Sequence, residues 1–330
     1  MNLPADTSSR TVATLTMNPT IDVSYDVERV RHTHKMRTDN EWYAPGGGGI
    51  NVARVLSRLG TPSRCIYTAG GATGPALDGL IDRHQLARTR IPIEGPTRVA
   101  SAVLERETGK EYRFTPQGPH LGEDECRACL AALEEVECGT LVLSGSLPPG
   151  VPDDFYAHAT ALMRKRGVAV VLDSSGKALA SGIEGGGLLL VKPSQGELAA
   201  FVGRPLENLE AIGAAAMAIV EAGRAQLVAV TMGHEGAVLA RKSGPLLLPA
   251  LKIEAASAVG AGDSFVAGMV HALVNGHDEL EAFRWGIAAG SAAVLRAGTD
   301  LARPDDIKRL LEQVGAPVAH GEVEAGVFRR

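Results

Sequence analysis

Apolar positions along the chain switch between two periods, and the switches divide it into elements. Thr11–Met17 alternates as a strand does and stops at Asn18-Pro19. Val52, Val55, Leu56 and Leu59 recur at helical spacing and stop at Gly60. Arg64–Ala69 reads as a second core strand, with a helix near Pro75–Leu86 after it. The pattern then becomes regular: helix Glu123–Glu137, strand Thr140–Ser144, helix Asp153–Lys165, strand Ala169–Asp173, strand Leu188–Val191. Helices near Gln195–Phe201 and Leu206–Ala222 and a strand Gln226–Thr231 continue it. A hairpin of Gly236–Ala240 and Pro245–Pro249 follows, and helices from Ala261, from Glu279 to Leu295 and from Asp305 to Val314 close the domain. Strands alternating with helices predict an α/β fold, with a mostly parallel central sheet and helices on both faces.

Three extended runs fall outside this alternation. Asp39–Tyr43 follows a basic turn with Lys35 and Arg37, and Arg98–Arg106 with Glu111–Phe114 reads as a hairpin around Thr108-Gly109. They are too short for a core of their own and predict a small sheet standing off the main domain.

Composition narrows the partners. The chain has 330 residues, 45% apolar and 22% charged, with a net charge of −5. It has no prominent basic run, which argues against nucleic acid or an anionic membrane as partner. No apolar stretch is long enough to cross a bilayer, and Met1–Arg10 has no apolar signal core, so the expected location is the cytoplasm. Cys126 and Cys129 form a C-x-x-C, but they fall inside the Glu123–Glu137 helix with no second pair after them. Helix-borne thiols explain them better than a metal site does.

Two glycine-rich stretches carry candidate chemistry. Pro45 is followed by Gly46-Gly47-Gly48-Gly49-Ile50-Asn51 and then directly by an apolar helix. A mere flexible linker would have polar neighbours, so a ligand loop is expected. It matches neither G-x-G-x-x-G nor G-x-x-x-x-G-K-[ST]. Late in the chain, Val259-Gly260-Ala261-Gly262-Asp263 opens a helix that buries Val266, Met269, Val270 and Leu273. Free N–H groups at a helix start favour an anion. Two uses fit Asp263: a cap for that helix, or a proton acceptor beside an anion site. The predicted strands end in Ser144-Gly145-Ser146, Asp173-Ser174-Ser175, Lys192-Pro193-Ser194 and Thr231-Met232-Gly233. In a parallel sheet these ends share one edge, where ligands bind.

The two glycine signatures, in this order, resemble those of the ribokinase-like (PfkB) sugar kinases. The resemblance runs from about Thr11 to Val314. It is nearest to the minor-type 6-phosphofructokinase branch, through Ala13–Asp22, Pro45–Arg54, Ala69–Gly74, Ser144–Gly150, Leu172–Gly176 and Val259–Ser264. It implies a ribokinase-like domain over 11–314, with tails at 1–10 and 315–330. The small sheet, about 21–43 and 97–115, would act as a lid that also pairs two subunits into a homodimer. Asp263 would be the general base, with Gly260, Ala261 and Gly262 as the anion hole. Asp22, Gly47, Gly48 and Asn51 would hold sugar hydroxyls, and Lys35, Arg98 and Ser146 a phosphate already on the sugar. Lys192, Ser194, Thr231, Gly233 and Gly236 would line the ATP site, with Glu197 acting on Mg²⁺ through water and K⁺ as an optional further ion.

The implied reaction is ATP-dependent phosphorylation of the 1-hydroxyl of fructose 6-phosphate, a step of glycolysis. Tagatose 6-phosphate and fructose 1-phosphate are rival substrates. A non-catalytic sensor of sugar phosphate or nucleotide is the rival of another class. Three positions depart from the family pattern: Ser194 replaces the usual Asn of N-x-x-E, Ala258 a common Thr, and Asp300 a frequent Arg.

Overall fold

The computed structural model describes residues 10–254, 257–296, 298 and 300–319. The chain opens with β1 (Val12–Thr16), turns at Asn18-Pro19, and forms β2 (Thr20–Val27) and β3 (Asp39–Gly46). Then come α1 (Gly48–Arg58), β4 (Ser63–Gly70), α2 (Gly74–Asp82), β5 (Ala87–Ile93), β6 (Arg98–Glu105) and β7 (Lys110–Phe114). The regular part is α3 (Glu123–Glu135), β8 (Thr140–Ser144), α4 (Phe155–Lys165), β9 (Ala169–Asp173), α5 (Gly176–Gly185), β10 (Leu188–Val191), α6 (Gln195–Val202), α7 (Leu209–Glu221) and β11 (Ala225–Thr231). The chain closes with β12 (Ala237–Ala240), β13 (Leu246–Leu248), α8 (Ala261–Val274), α9 (Glu279–Val294), α10 (Pro304–Leu311) and β14 (Val318–Ala319).

The main sheet has the order β14-β13-β12-β11-β10-β9-β8-β1-β4-β5. From β11 to β5 all neighbours are parallel, while β12, β13 and β14 join antiparallel. Strand residues alternate between two buried faces. Leu15, Leu143, Val170, Leu172 and Val228 face the core under α3 to α7. Val12, Val142, Val171, Leu190 and Leu227 face the core shared with α1, α8 and α9. Each such side chain contributes about 1.5–3 kcal/mol by leaving water. From β1 the sheet grows through β4 and β5 on one side and through β8 to β11 on the other. The order therefore reverses between β1 and β8, which opens a crevice at the strand C-terminal ends.

The small sheet has the order β3-β2-β6-β7. It is held on the body by Ile21 and Val23 of β2, which pack with Ile50, Cys65, Tyr67, Leu77 and Ile81.

Four elements depart from the sequence reading. β2 lies where the sequence reading, which stops the first strand at Asn18-Pro19, gives no strand. Its polar side chains and interrupting acid hide the period, yet it is the strand that joins β3 to β6. β5 reads ARTRIPI and is an edge strand, where half-buried Arg88 and Arg90 pair with Asp82 and Asp78, so its alternation is weak. α5 is flanked and interrupted by Gly176, Gly182 and Gly185, which mask a helix that buries Leu179 and Ile183. The expected loose tail from Gly315 instead supplies β14, which pairs with β13. Residues 1–9 and 320–330 of the expected tails lie outside the described residues. Cys126 and Cys129 are free thiols buried on α3, and burial pushes both above the ordinary range.

Candidate active site

The four glycines at the head of α1 meet protein on every side. A Cβ on Gly46 would lie 2.0 Å from Asp22 Oδ2, and one on Gly48 2.2 Å from Ser144 Oγ. One on Gly49 would lie 2.8 Å from the Leu15 carbonyl, and Gly47 needs φ +108°. The close approach expected toward a ligand is thus made first to β1, β2 and β8. That contact sets the head of α1 into the crevice between β1 and β8.

One turn into α1, Asn51 Nδ2 donates to Asp263 Oδ2 at 2.9 Å, across 212 residues of chain. Asp263 sits in the first turn of α8, behind Gly260 at φ 69°. A Cβ on Gly260 would strike Leu301 Cδ2 at 2.3 Å. Ala261 N–H reaches the Ala258 carbonyl only at 3.5 Å. The N–H groups of Gly260, Gly262 and Asp263 have no acceptor among the described residues. They form the positive end of α8 and face anions favourably. The Asp263 carboxyl is pushed up to about 7, first by burial and then by the charge of Asp173. The Asn51 bond and Lys192 oppose that rise.

On the side of the small sheet, Asp22 is raised to about 6 by burial, against the pull of Arg54 and Arg98. The Arg98 guanidinium donates to the Asn18 carbonyl at 2.8 Å and the Pro116 carbonyl at 2.9 Å. Its Nε is buried without a partner. Asn18 Nδ2 in turn donates to Ser146 Oγ at 3.3 Å. Arg98 and Ser146 therefore meet at Asn18, and Asp22 lies within reach of the Arg98 charge. Lys35 does not join them: it lies exposed between β2 and β3, with no hydrogen bond or ion pair to them among the described residues.

On the other side, Lys192 follows β10 and is buried, its Nζ 3.0 Å from Asp173 Oδ1. Burial alone would lower the ammonium, but Asp173, then Glu197 and Asp263, more than offset this and hold it above its ordinary value. Ser194 caps α6 through a reciprocal box with Glu197. Glu197 Oε2 accepts from Ser194 N at 2.8 Å and Oγ at 3.0 Å. The other carboxylate oxygen, Oε1, has no protein donor among the described residues. Beyond lies an apolar cavity of about 370 Å³, bounded by Thr231, Gly233, Gly236, Ala261 and Gly262. Leu251, Ile253, Ile287 and Val294 complete its walls.

Sequence reasoning missed three of these groups. Asp173 appeared only as a polar strand end, although its acid next to Lys192 is the sole local sign of a buried pair. Arg54 closes the Pro45–Arg54 stretch with nothing beside it to mark a role, and the cavity walls on α9 carry no motif. They are legible only once α1 and α9 are packed on α8.

An apolar cavity, a helix start with free N–H groups and an adjacent acid, and a half-buried arginine on the side of the small sheet are the parts a phosphotransferase needs. The profile of the pfkB family carbohydrate kinases matches residues 13–306, and the chain belongs to that family. It is similar to the ATP-dependent 6-phosphofructokinase isozyme 2 of Mycobacterium tuberculosis H37Rv, 38% identical over 94% of this chain and 92% of the relative. The isozyme 2 of Escherichia coli K12 is 37% identical over 91% and 97%. The crystal structures of Escherichia coli phosphofructokinase-2 with potassium and with fructose-6-phosphate superpose with TM-scores of 0.88 and 0.86. Both are 36% identical over 92% of this chain and 98% of the other.

Proposed function

We propose that the protein transfers the γ-phosphoryl group of ATP to the 1-hydroxyl of fructose 6-phosphate, giving fructose 1,6-bisphosphate and ADP. The observation that carries this is Asp263, held by Asn51 beside bare N–H groups and adjacent in the chain to Gly262, which bounds the apolar cavity. The adenosine occupies the cavity, with Thr231, Gly233 and Gly236 toward the phosphates. Lys192 lies beside Gly262, where the γ-phosphate arrives. Asp22, Gly47, Gly48 and Asn51 hold the sugar hydroxyls. Arg98 and Ser146 hold the 6-phosphate; Lys35, exposed and apart from them between β2 and β3, is assigned to reach the same dianion from the small sheet.

Asp263 accepts the proton of the 1-hydroxyl as its oxygen attacks phosphorus, and ADP leaves. The N–H groups of Gly260, Ala261 and Gly262 hold the charge on the transferring phosphoryl oxygens. A base near pH 7 is matched to work in neutral solution.

Among the described residues no three metal-ligating acids, thiols or imidazoles converge. The donors present suit Mg²⁺, which keeps much of its water shell and rides on nucleotide phosphates. Glu197 Oε1 is the oxygen free to hold one of those waters, and Ser194 fixes that carboxylate. Mg²⁺ supplies charge neutralisation on the phosphates when bound. K⁺ is assigned a supporting role, read by activity in KCl against an inert cation salt.

The small sheet is assigned as a lid and as a homodimer surface. Every exposed large apolar side chain among the described residues lies on it or its connections: Val30, Met36, Trp42, Tyr43, Val99, Leu104 and Phe114. The reading is tested by following ADP release with ATP, Mg²⁺ and a panel of hexose phosphates. Lys35→Ala should raise KM for fructose 6-phosphate and leave KM for ATP unchanged; an unchanged sugar KM would remove Lys35 from the site.

A further inference from the structure

Arg54 lies three residues after Asn51 on α1, so the two share a helix face. It is 3% exposed, and Asn51 is 6% exposed. Arg54 Nη1 donates to Asn51 Oδ1 at 3.1 Å and to the Pro45 carbonyl at 3.0 Å. Asn51 Nδ2 donates onward to Asp263 Oδ2 at 2.9 Å.

This chain has a direction. A guanidinium only donates and a carboxylate only accepts, so the amide between them has one satisfied orientation. Turned over, Asn51 would set its oxygen against the Asp263 carboxylate and its NH₂ against the guanidinium. We propose that Arg54 is a positioning residue for the phosphoryl transfer: it locks the Asn51 amide with its donor toward Asp263 and ties that amide to the strand end before the glycine loop.

A packing role alone explains Arg54 poorly. A buried guanidinium is costly, and an apolar side chain of similar volume would fill the space at less cost. Its Nε is buried without a partner among the described residues, so its own hydrogen bonding there is incomplete. Burial lowers it to about 10, which leaves it charged at neutral pH, with Arg58 opposing and Asp300, Asp22 and Asp263 favouring that charge. Asp300 in turn binds Arg58 and Arg303.

Asp263 is faced by Asp173 from the end of β9, Lys192 after β10, Asp22 from β2, and Asn51 from α1, with Arg54 behind it. Removing Arg54 frees the amide to turn and takes away a positive charge. Both changes favour the protonated acid, so the acid limb of the rate profile should move to higher pH.

The proposal rests on Asp263 being the base, and its test is chosen to fail separately. Arg54→Met should lower kcat about ten-fold, leave KM for ATP unchanged and raise the acid-limb pKa by about half a unit or more. Arg54→Lys should recover part of both. In an Asn51→Ala background, Arg54→Met should change kcat by no more than about two-fold, because the intermediary is gone. The ¹³C carboxyl titration of Asp263 should move upward in Arg54→Met without any substrate. Should Arg54→Met fail to fold by circular dichroism, Arg54→Gln, which also lacks the charge, carries the same readings. An unmoved Asp263 titration, or kcat losses that simply multiply with Asn51→Ala, would reduce Arg54 to a packing residue. Absence of turnover in the unaltered protein would overturn the kinase reading and leave the carboxyl titration as the test of Arg54.

Discussion

Replacing Asp263 by Asn should separate catalysis from stability. As the base, its loss should lower kcat by about 10²–10⁴-fold while ATP binding persists. The carboxyl is raised from an ordinary 3.8 to about 7 in the fold, so the folded state binds the extra proton between those values. Its ionisation therefore costs nothing below 3.8, costs progressively more as pH rises toward 7, and costs most above 7. Asp263→Asn should accordingly stabilise the protein by about 1–2 kcal/mol above pH 7, a figure reduced because the carboxyl opens on a cleft. It should make no difference below pH 4. Urea unfolding at pH 4 and 8 reads this, and equal stability of the two proteins at pH 8 would contradict it. Asp263 was legible in the sequence because the glycines beside it have little other use at the head of an apolar helix. The upward shift of its carboxyl was not, since it comes first from burial and then from Asp173, which lies 90 residues earlier and reaches it only through the parallel register of β9.

The glycine loop and α1 act as one element. Gly46→Ala and Gly48→Ala should each destabilise by about 1–3 kcal/mol, because the new methyl meets Asp22 or Ser144 in a packed site. Gly196 in α6 is the contrast: a Cβ there meets nothing within 4 Å. Gly196→Ala should be neutral or stabilising by up to about 1 kcal/mol. Denaturant midpoints distinguish the two classes, and a tolerated Gly48→Ala would contradict the packing reading. The loop announces itself as four glycines in a row, and the helices and inner strands announce themselves by period. β2, β5 and α5 do not. The first two keep polar side chains because they lie at a sheet junction or edge, and the third has its period broken by glycine.

At the scale of the whole molecule, the parallel order and the site edge follow from alternating strands and helices, and the strand ends marked the crevice before any fold was known. The cavity walls from α9 and the strand pairing of the small sheet depend on long-range packing and left no local trace. The exposed apolar side chains of that sheet predict self-association. Phe114→Asp should shift light-scattering mass toward the monomer on dilution, and a unaltered protein that is monomeric at all concentrations would contradict the homodimer. The central claim is the transfer itself. With ATP and Mg²⁺, the protein should release ADP on fructose 6-phosphate and yield, by ³¹P spectroscopy, a product phosphorylated at carbon 1. Unphosphorylated fructose should be turned over far more slowly, because it brings no phosphate to the Arg98 guanidinium and Ser146. No turnover on any hexose phosphate, or a preference for free fructose, would contradict the account.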